Sequence, residues 1–480
     1  MTLSHFVGGE RIEGGPVHHD LSPSDSTDVV ASWGAASEDL AHQAIEAAVA
    51  AAPGWASTTG ARRGEILTIA GLEIERRADE LGRVLAREEG KTLPEAIGEV
   101  RRAAQILQFQ GGQAIRNRGQ LLDSVRPGIE VSITREPVGV VSVIAPWNFP
   151  IAIPAWKIAP ALAYGNTVVL KPAEAVPASA WHLVDILHRA GLPDGVLNLV
   201  LGRGREIGDV LTGSVGLNAV TFTGSEDTGR RVLERTSAAG IRAQLEMGGK
   251  NPLVVLDDAD IEVAVTQALA GAYGSTGQRC TASSRLIVTR GIHDRFVDGL
   301  SVAMAGLRVG HALEDGIDMG PVVDRDQLDQ DRRYVSEAAD AGREVVGGQL
   351  EAAPTDGFFM RPALVLGTDP EDAINREEVF GPVASVIEVE DYEQALAVAN
   401  DTPYGLTAGI ITTSLAAAHD FRRRAEAGMV MVNLATAGVD FHVPFGGRGA
   451  SSFGPREQGE EAREFFTQVK TAYVASGAVT

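Results

Sequence analysis

The chain of 480 residues has one cysteine, Cys280, set in Gly274-Ser-Thr-Gly-Gln-Arg-Cys-Thr-Ala-Ser-Ser-Arg285. A lone free cysteine is commonly a small buried hydrophobe. Here the neighbours are small and polar, with an arginine on each side, which is not how a core strand or core helix face is written. Positive charge nearby favours a thiolate, so Cys280 is a candidate nucleophile. A cysteine nucleophile needs a base, and none of the ten histidines stands at a spacing that suggests one. The other candidate is Glu246, in Gln244-Leu-Glu-Met-Gly-Gly-Lys-Asn-Pro252, which follows a predicted strand and precedes a Gly-Gly turn. A carboxylate there is either salt-bridged or a general base with a raised pKa. The proline-stiffened segment Ile144-Ala-Pro-Trp-Asn-Phe-Pro150 would hold the Asn148 amide in place. That amide either makes a turn or forms half of an oxyanion hole, the backbone N–H of Cys280 being the other half.

The glycines suggest a phosphate-bearing ligand without naming it. Gly202-Arg-Gly-Arg-Glu-Ile-Gly208 follows a strand, but its G-x-G-x-x-x-G spacing departs from the dinucleotide fingerprint. Phe222-Thr-Gly-Ser-Glu-Asp-Thr-Gly229 follows another strand and opens a helix, where the Gly224 and Ser225 amides could meet a phosphate. No P-loop, H-E-x-x-H or G-x-S-x-G motif is present. A single cysteine excludes an intramolecular disulfide and a thiol-cluster metal site, and no metal is expected. The net charge of −22 argues against a nucleic-acid coat or a basic membrane-surface protein, though not against an anionic small molecule. The most apolar stretch, 138–163, is interrupted by Pro146, Asn148, Pro150, Pro154 and Lys157, and the N-terminus lacks a signal-peptide pattern. A cytoplasmic address is the expectation.

The elements that must carry these residues come from hydrophobic patterning. Residues 38–116 read mostly as helix, with the amphipathic stretch Arg62 to Gln113 broken near Gly90 and Pro94. From Val138, apolar runs at 138–145, 167–170, 196–201 and 217–222 alternate with helical patterns such as 180–190 and 227–238. Such alternation indicates βαβ units and a doubly wound parallel sheet buried on both faces. A second α/β region follows from about Gly248 to Gly447, with strand-like segments at 285–288, 344–346 and 383–389. Residues 123–136 look like a protruding hairpin, and 465–474 like an extended strand; two such edges suggest pairing with a partner subunit.

These segments together resemble the NAD(P)-dependent aldehyde dehydrogenase superfamily from about Phe6 to the C-terminus. The resemblance rests on an ordered set of motifs: Pro146-Trp-Asn-Phe-Pro, Lys171-Pro-Ala-Glu174, Phe222-Thr-Gly-Ser, Leu245-Glu-Met-Gly-Gly-Lys, Gly277-Gln-Arg-Cys, Glu377-Glu-Val-Phe-Gly-Pro382 and Pro444-Phe-Gly-Gly447. It implies that Cys280 attacks the aldehyde, Asn148 and the Cys280 amide hold the oxyanion, and Glu246 activates the water that hydrolyses the thioester. By analogy Lys157 and Glu457 form a proton relay behind that base. Lys171 and Glu174 map onto the pair that touches the adenosine ribose, which favours NAD while leaving NADP open. Trp147, Gly224 and Ser225 would lie along the dinucleotide with Ile144, Gly204 and Gly208, and Glu378 and Phe380 beside the nicotinamide riboside.

The resemblance also implies two Rossmann-like doubly wound domains and a small β oligomerisation element. The coenzyme domain would comprise 1–119 and 139–247, the catalytic domain 248–449, and the oligomerisation element 120–138 and 460–480 of a homodimer or homotetramer. Met431-Val-Asn-Leu-Ala-Thr-Ala-Gly-Val-Asp-Phe-His-Val-Pro-Phe-Gly-Gly and Ser451-Ser-Phe-Gly-Pro-Arg-Glu-Gln-Gly look most like the corresponding segments of enzymes acting on α-ketoglutaric semialdehyde. Arg279 is then a candidate reader of the substrate carboxylate; the alternatives are that it tunes the thiol or pairs with a surface carboxylate. Trp156 and Phe445 complete the expected substrate walls. Broad-specificity aldehyde oxidation is the alternative, and a silent paralogue a remote one. Gly449 stands where relatives usually carry lysine.

Overall fold

The computed structural model describes residues 1–475 and Gly477. Its first large sheet has eight strands, in the order Ser452–Phe453, Arg242–Glu246, Ala219–Thr223, Val140–Ile144, Thr167–Lys171, Leu197–Leu199, His5–Val7 and Glu10–Ile12. The five strands from Arg242–Glu246 to Leu197–Leu199 pair in parallel, and the outer strands join them antiparallel. Their Val- and Leu-rich runs are buried on both faces because helices cover each side. After Val140–Ile144 the chain first builds outward through Thr167–Lys171, then returns to build on the other side through Ala219–Thr223. Strand order therefore reverses at Val140–Ile144, and this leaves a crevice beyond the carboxyl ends of two neighbouring strands, where open α/β sheets bind ligands.

The second sheet has seven strands, running Glu344–Gly347, Ala363–Leu366, Val383–Val389, Ser283–Thr289, Asn251–Val255, Thr407–Ile411 and Met429–Val432. All pairings are parallel except that of Glu344–Gly347. Its core includes Leu253, Val255, Leu286, Val288 and Phe296. A third sheet joins the hairpin Gln120–Asp123 and Ile129–Pro137 to the tail strand Thr467–Ala475, which pairs along the whole of Ile129–Pro137. Leu121, Val125, Val469 and Tyr473 are exposed on this element. Ser476 and residues 478–480, part of the expected tail element, lie outside the described residues.

Several local expectations change. The amphipathic stretch is three helices, Gly60–Arg76, Ala78–Glu89 and Leu93–Gln113, with an additional break at Arg77 and a left-handed Gly90 (φ +96°) closing the second. The tail begins as a helical turn, Arg463–Phe466, and becomes strand only at Thr467. The N-terminal strands were not expected: Val17–Ser22 and Asp25–Gly34 form a small sheet with Thr2–Leu3. No helix of the described residues is long and apolar enough to cross a membrane.

Candidate active site

Cys280 follows a strained turn. The helix Ile261–Tyr273 ends at Gly274, and Ser275, Thr276 and Gly277 then adopt left-handed conformations in succession (φ +50°, +55° and +68°). Non-glycine residues hold such angles only where surrounding contacts enforce them. Here the Ser275 N–H donates to Glu95 Oε1 at 2.7 Å, and Thr276 Oγ1 donates to the Gly320 carbonyl at 3.2 Å. The Val323 N–H donates to Gln278 Oε1 at 2.9 Å. Beyond the turn, Asn251 Nδ2 donates to the carbonyls of Cys280 (2.8 Å) and Ala282 (2.9 Å), while its Oδ1 accepts from the Thr407 N–H at 3.0 Å. Asn251 opens a strand of the second sheet, so this clamp ties the nucleophile to the sheet.

The arginines flanking Cys280 do not supply the positive charge expected of them. Arg279 pairs with Glu95 (3.3 Å) and donates to Ser275 Oγ (2.9 Å). Arg285 is buried and donates to the carbonyls of Lys250, Val398 and Ala399. Burial, followed by the carboxylates of Glu378 and Glu246, instead pushes the Cys280 thiol up.

Asn148 is buried past the end of Val140–Ile144, and its Nδ2 donates to the Gln278 carbonyl at 3.0 Å. A primary amide has two N–H groups, so one remains for a ligand. The backbone is fixed from behind: Lys91 Nζ donates to the Asn148 carbonyl at 2.8 Å and pairs with Glu99 at 2.7 Å. Glu99 Oε1 in turn accepts from the Ile151 and Ala152 N–H groups at the start of the helix Ala152–Ala163.

Glu246 is the last residue of its strand, opposite Ser452. Ser452 Oγ donates to Glu246 Oε2 at 2.5 Å and accepts from the Gly447 N–H at 2.6 Å. Burial, then repulsion from Glu457, holds the Glu246 carboxyl well above the usual range, against the opposing pull of Ser452, Lys157 and Arg456. Lys157 and Glu457 form a buried ion pair. Trp156 Nε1 donates to Glu457 Oε2 at 2.7 Å, and Lys157 Nζ to Thr221 Oγ1 at 2.8 Å.

Three cavities collect the remaining residues. One of about 700 Å³, at the strand-order reversal, is lined by Ile144, Lys171, Glu174, Gly204 and Gly208, and also by Arg203, Arg205, Arg231 and Arg235. Gly204 and Gly208 line this cavity, and a Cβ at either would meet nothing within 4 Å. The second, about 370 Å³, lies past the same strand ends and is lined by Trp147, Asn148, Gly224, Ser225, Glu378, Phe380 and Cys280. The third, about 270 Å³, contains Arg279, Trp156, Phe445, Phe149, Arg102 and again Cys280. Cys280 is thus the wall between two cavities, and Trp156 and Phe445 pack with ring centroids 5.3 Å apart.

Details correct the sequence reading. The Gly224 N–H is not free for a phosphate, because it donates to the Glu246 carbonyl at 3.1 Å; that bond joins the two strand ends. Ser225 caps the helix Glu226–Ala239 with its hydroxyl. Glu174 has its own partner, Arg203 Nε at 3.4 Å. Glu378 Oε1 accepts from the Gly249 N–H at 2.9 Å, and burial pushes its pKa up to about 7. Phe380 takes a left-handed φ of +62° and packs edge-on against Trp147. Gly449 is also left-handed (φ +56°), and a Cβ there would stand 2.3 Å from the Pro403 carbonyl, so this backbone is shaped for glycine. Sequence reasoning missed Asn251, Arg102 and the four arginines. The arginine-rich run Gly202-Arg-Gly-Arg was the one visible signal.

The sequence profile described as "Aldehyde dehydrogenase family" matches residues 14–472. The α-ketoglutaric semialdehyde dehydrogenase of Bacillus subtilis (strain 168) is 41% identical over 478 residues, covering 98% of each chain. The α-ketoglutarate semialdehyde dehydrogenase of Haloferax volcanii is 43% identical over 476 residues, again covering 98% of each. Among solved structures, betaine aldehyde dehydrogenase from Staphylococcus aureus in complex with NAD+ superposes with a TM-score of 0.96 at 31% identity, covering 99% of this chain and 95% of that one. The chain belongs to the aldehyde dehydrogenase family.

Proposed function

We propose that this aldehyde dehydrogenase oxidises α-ketoglutaric semialdehyde, or a closely related carboxylated aldehyde, to the acid with NAD. The observation that carries the reading is the position of Cys280 as the wall shared by a substrate-sized cavity and the cavity that continues from the strand-order reversal. The relatives named for α-ketoglutaric semialdehyde support the choice of substrate.

The residues fit a dinucleotide. The glycine-lined opening at Gly204 and Gly208 leaves room for an adenosine, with Lys171 and Glu174 placed for its ribose hydroxyls. Ile144, Trp147, Gly224 and Ser225 would follow its length, and Glu378 and Phe380 the far riboside. Glu174 disfavours a 2′-phosphate, but Arg203, Arg205, Arg231 and Arg235 bring four positive charges to the same cavity, so NADP is accepted as well. When bound, the nicotinamide supplies the hydride acceptor for the oxidation.

The chain's own residues do the rest. Cys280 Sγ attacks the aldehyde carbon to form the C–S bond, the thiol proton passing to solvent water and the carbonyl electron pair to the oxygen. The free N–H of Asn148 and the Cys280 amide hold the developing oxyanion. After oxidation the acyl group is a thioester on Sγ. Glu246, whose carboxyl burial holds above the usual carboxylate range, takes the proton from the attacking water in its ionised form. The Lys157–Glu457 pair behind it sets its charge and relays the proton.

On the same reading, residues 1–119 and 139–247 hold the coenzyme and 248–449 carry the nucleophile. The hairpin and tail, 120–138 and 460–480, pair subunits of a dimer or tetramer, through the exposed apolar side chains Leu121, Val125, Val469 and Tyr473. A cytoplasmic site of action fits a chain whose single cysteine must stay reduced.

The test is NADH or NADPH formation by the purified enzyme with α-ketoglutaric semialdehyde, succinic semialdehyde, an aliphatic aldehyde and benzaldehyde. The carboxylated pair should give the higher kcat/KM, with NAD ahead of NADP. Higher kcat/KM for the neutral aldehydes would overturn the substrate assignment and leave the chemistry standing.

A further inference from the structure

Arg102 lies on the helix Leu93–Gln113 and on the wall of the substrate cavity. In the sequence it is one of two adjacent arginines on an amphipathic helix, and nothing marks it out. In the structure the two differ: Arg101 is exposed and pairs with Glu75, whereas Arg102 turns inward. Of the five N–H groups of its guanidinium, one donates, from Nη2 to Gln458 Oε1 at 3.3 Å. Its Nε–H is buried with no partner. It makes no direct ion pair among the described residues: Glu99, one helical turn away, is held by Lys91, and Glu99 and Asp440 act on the half-buried guanidinium only at a distance. An anionic ligand would give it the direct partner that its buried Nε–H lacks.

The other cationic side chains of this cavity are committed. Arg279 bonds to Glu95 and Ser275 Oγ and so steadies the left-handed turn before Cys280. Lys91 is held by Glu99 and the Asn148 carbonyl. The same cavity is lined by the apolar Phe149, Ile153, Val439 and Phe445, and by Glu95 and Glu99, which are paired with Arg279 and Lys91. A cavity of about 270 Å³ that holds a thiol, apolar walls and one guanidinium without a direct carboxylate partner suits a short chain with an aldehyde at one end and a carboxylate at the other.

We propose that Arg102, steadied by Gln458, binds the carboxylate of the aldehyde substrate, and that Arg279 is a positioning residue for the nucleophile loop. This rests on the carboxylated-substrate reading above and names the residue responsible for it.

The experiment compares wild type, Arg102→Met, Arg102→Lys and Arg279→Met, using α-ketoglutaric semialdehyde and an uncharged aldehyde of the same chain length. The readout is the ratio of the two kcat/KM values. Arg102→Met should lower that ratio by about 10- to 100-fold, chiefly through KM for the carboxylated substrate, as expected for loss of a charged hydrogen bond. Arg102→Lys should recover part of it. Arg279→Met should lower kcat on both aldehydes and keep the ratio. Competitive inhibition by glutarate, an unreactive dicarboxylate, should weaken in Arg102→Met. If wild type shows no preference for the carboxylated aldehyde, the substrate reading fails and Arg102 has nothing to read. If wild type shows the preference and Arg102→Met keeps it, or loses both activities in equal proportion, the Arg102 assignment alone is overturned.

Discussion

Replacing Asn148 with alanine separates catalytic from structural contributions, because the structure assigns its groups distinct partners. The side-chain amide makes one bond, to the Gln278 carbonyl at 3.0 Å, and the Lys91 bond is to the backbone carbonyl and survives the substitution. The structural loss is one buried carbonyl left without its donor, about 1–3 kcal/mol. Gln278 remains anchored through the Val323 N–H, so the loop keeps a tether. The catalytic loss is one of two oxyanion donors, about 2.7–4 kcal/mol, or roughly 10²- to 10³-fold in kcat. Stopped-flow measurement of the first turnover of NADH formation reads acylation directly, and thermal unfolding reads the structural cost. A first-turnover rate that falls by less than about fivefold while the protein stays folded would refute the oxyanion role.

Three further outcomes follow from the same geometry. Glu457→Gln removes the repulsion that, after burial, most raises the Glu246 pKa, and leaves Lys157 unpaired beside it. The Glu246 pKa then falls; since the ionised form is the base, the acid limb of acyl-enzyme hydrolysis should move to lower pH, and an unmoved or upward-shifted limb contradicts the coupling. Arg203→Ala should reduce kcat/KM with NADP relative to NAD by about tenfold, the worth of a charged hydrogen bond to phosphate; an unchanged ratio places the 2′-phosphate elsewhere. Placing glutamates at Val469 and Tyr473, both exposed on the tail strand, should shift the light-scattering mass to that of a single chain; a wild-type monomer or an undisturbed oligomer rules out this face as the contact.

What could be read from the sequence follows the physical range of each signal. Buried parallel strands announce themselves locally, so the runs at Thr167–Lys171 and Val383–Val389 were visible as Val-rich apolar segments. Val17–Ser22, written Val-His-His-Asp-Leu-Ser, shows no such run, because half its residues face solvent and its pairing partner sets its conformation. The polar surroundings of Cys280 marked it as lying outside a regular core element, and of the roles open to Arg279 the structure shows pairing with a carboxylate. Its partner Glu95 lies 184 residues away, and a contact of that kind leaves no local trace. Asn251 was quoted within a motif but not singled out, since an asparagine after Gly-Gly-Lys reads as turn chemistry until the Cys280 carbonyl is seen 2.8 Å from its amide. Arg102 was hidden for the opposite reason: an arginine on an amphipathic helix normally faces water.

The most direct test of the central claim is the mass of the enzyme at mid-reaction. Glu246→Gln keeps the nucleophile and both oxyanion donors but removes the base that deacylates. Mixed with NAD and α-ketoglutaric semialdehyde, quenched in acid and measured by intact-protein mass spectrometry, this variant should accumulate one acyl group per chain. Peptide mapping should place that group on Cys280, and Cys280→Ser in the same background should abolish it. No adduct, with turnover close to wild type, would contradict a mechanism in which Cys280 carries the acyl group and Glu246 releases it.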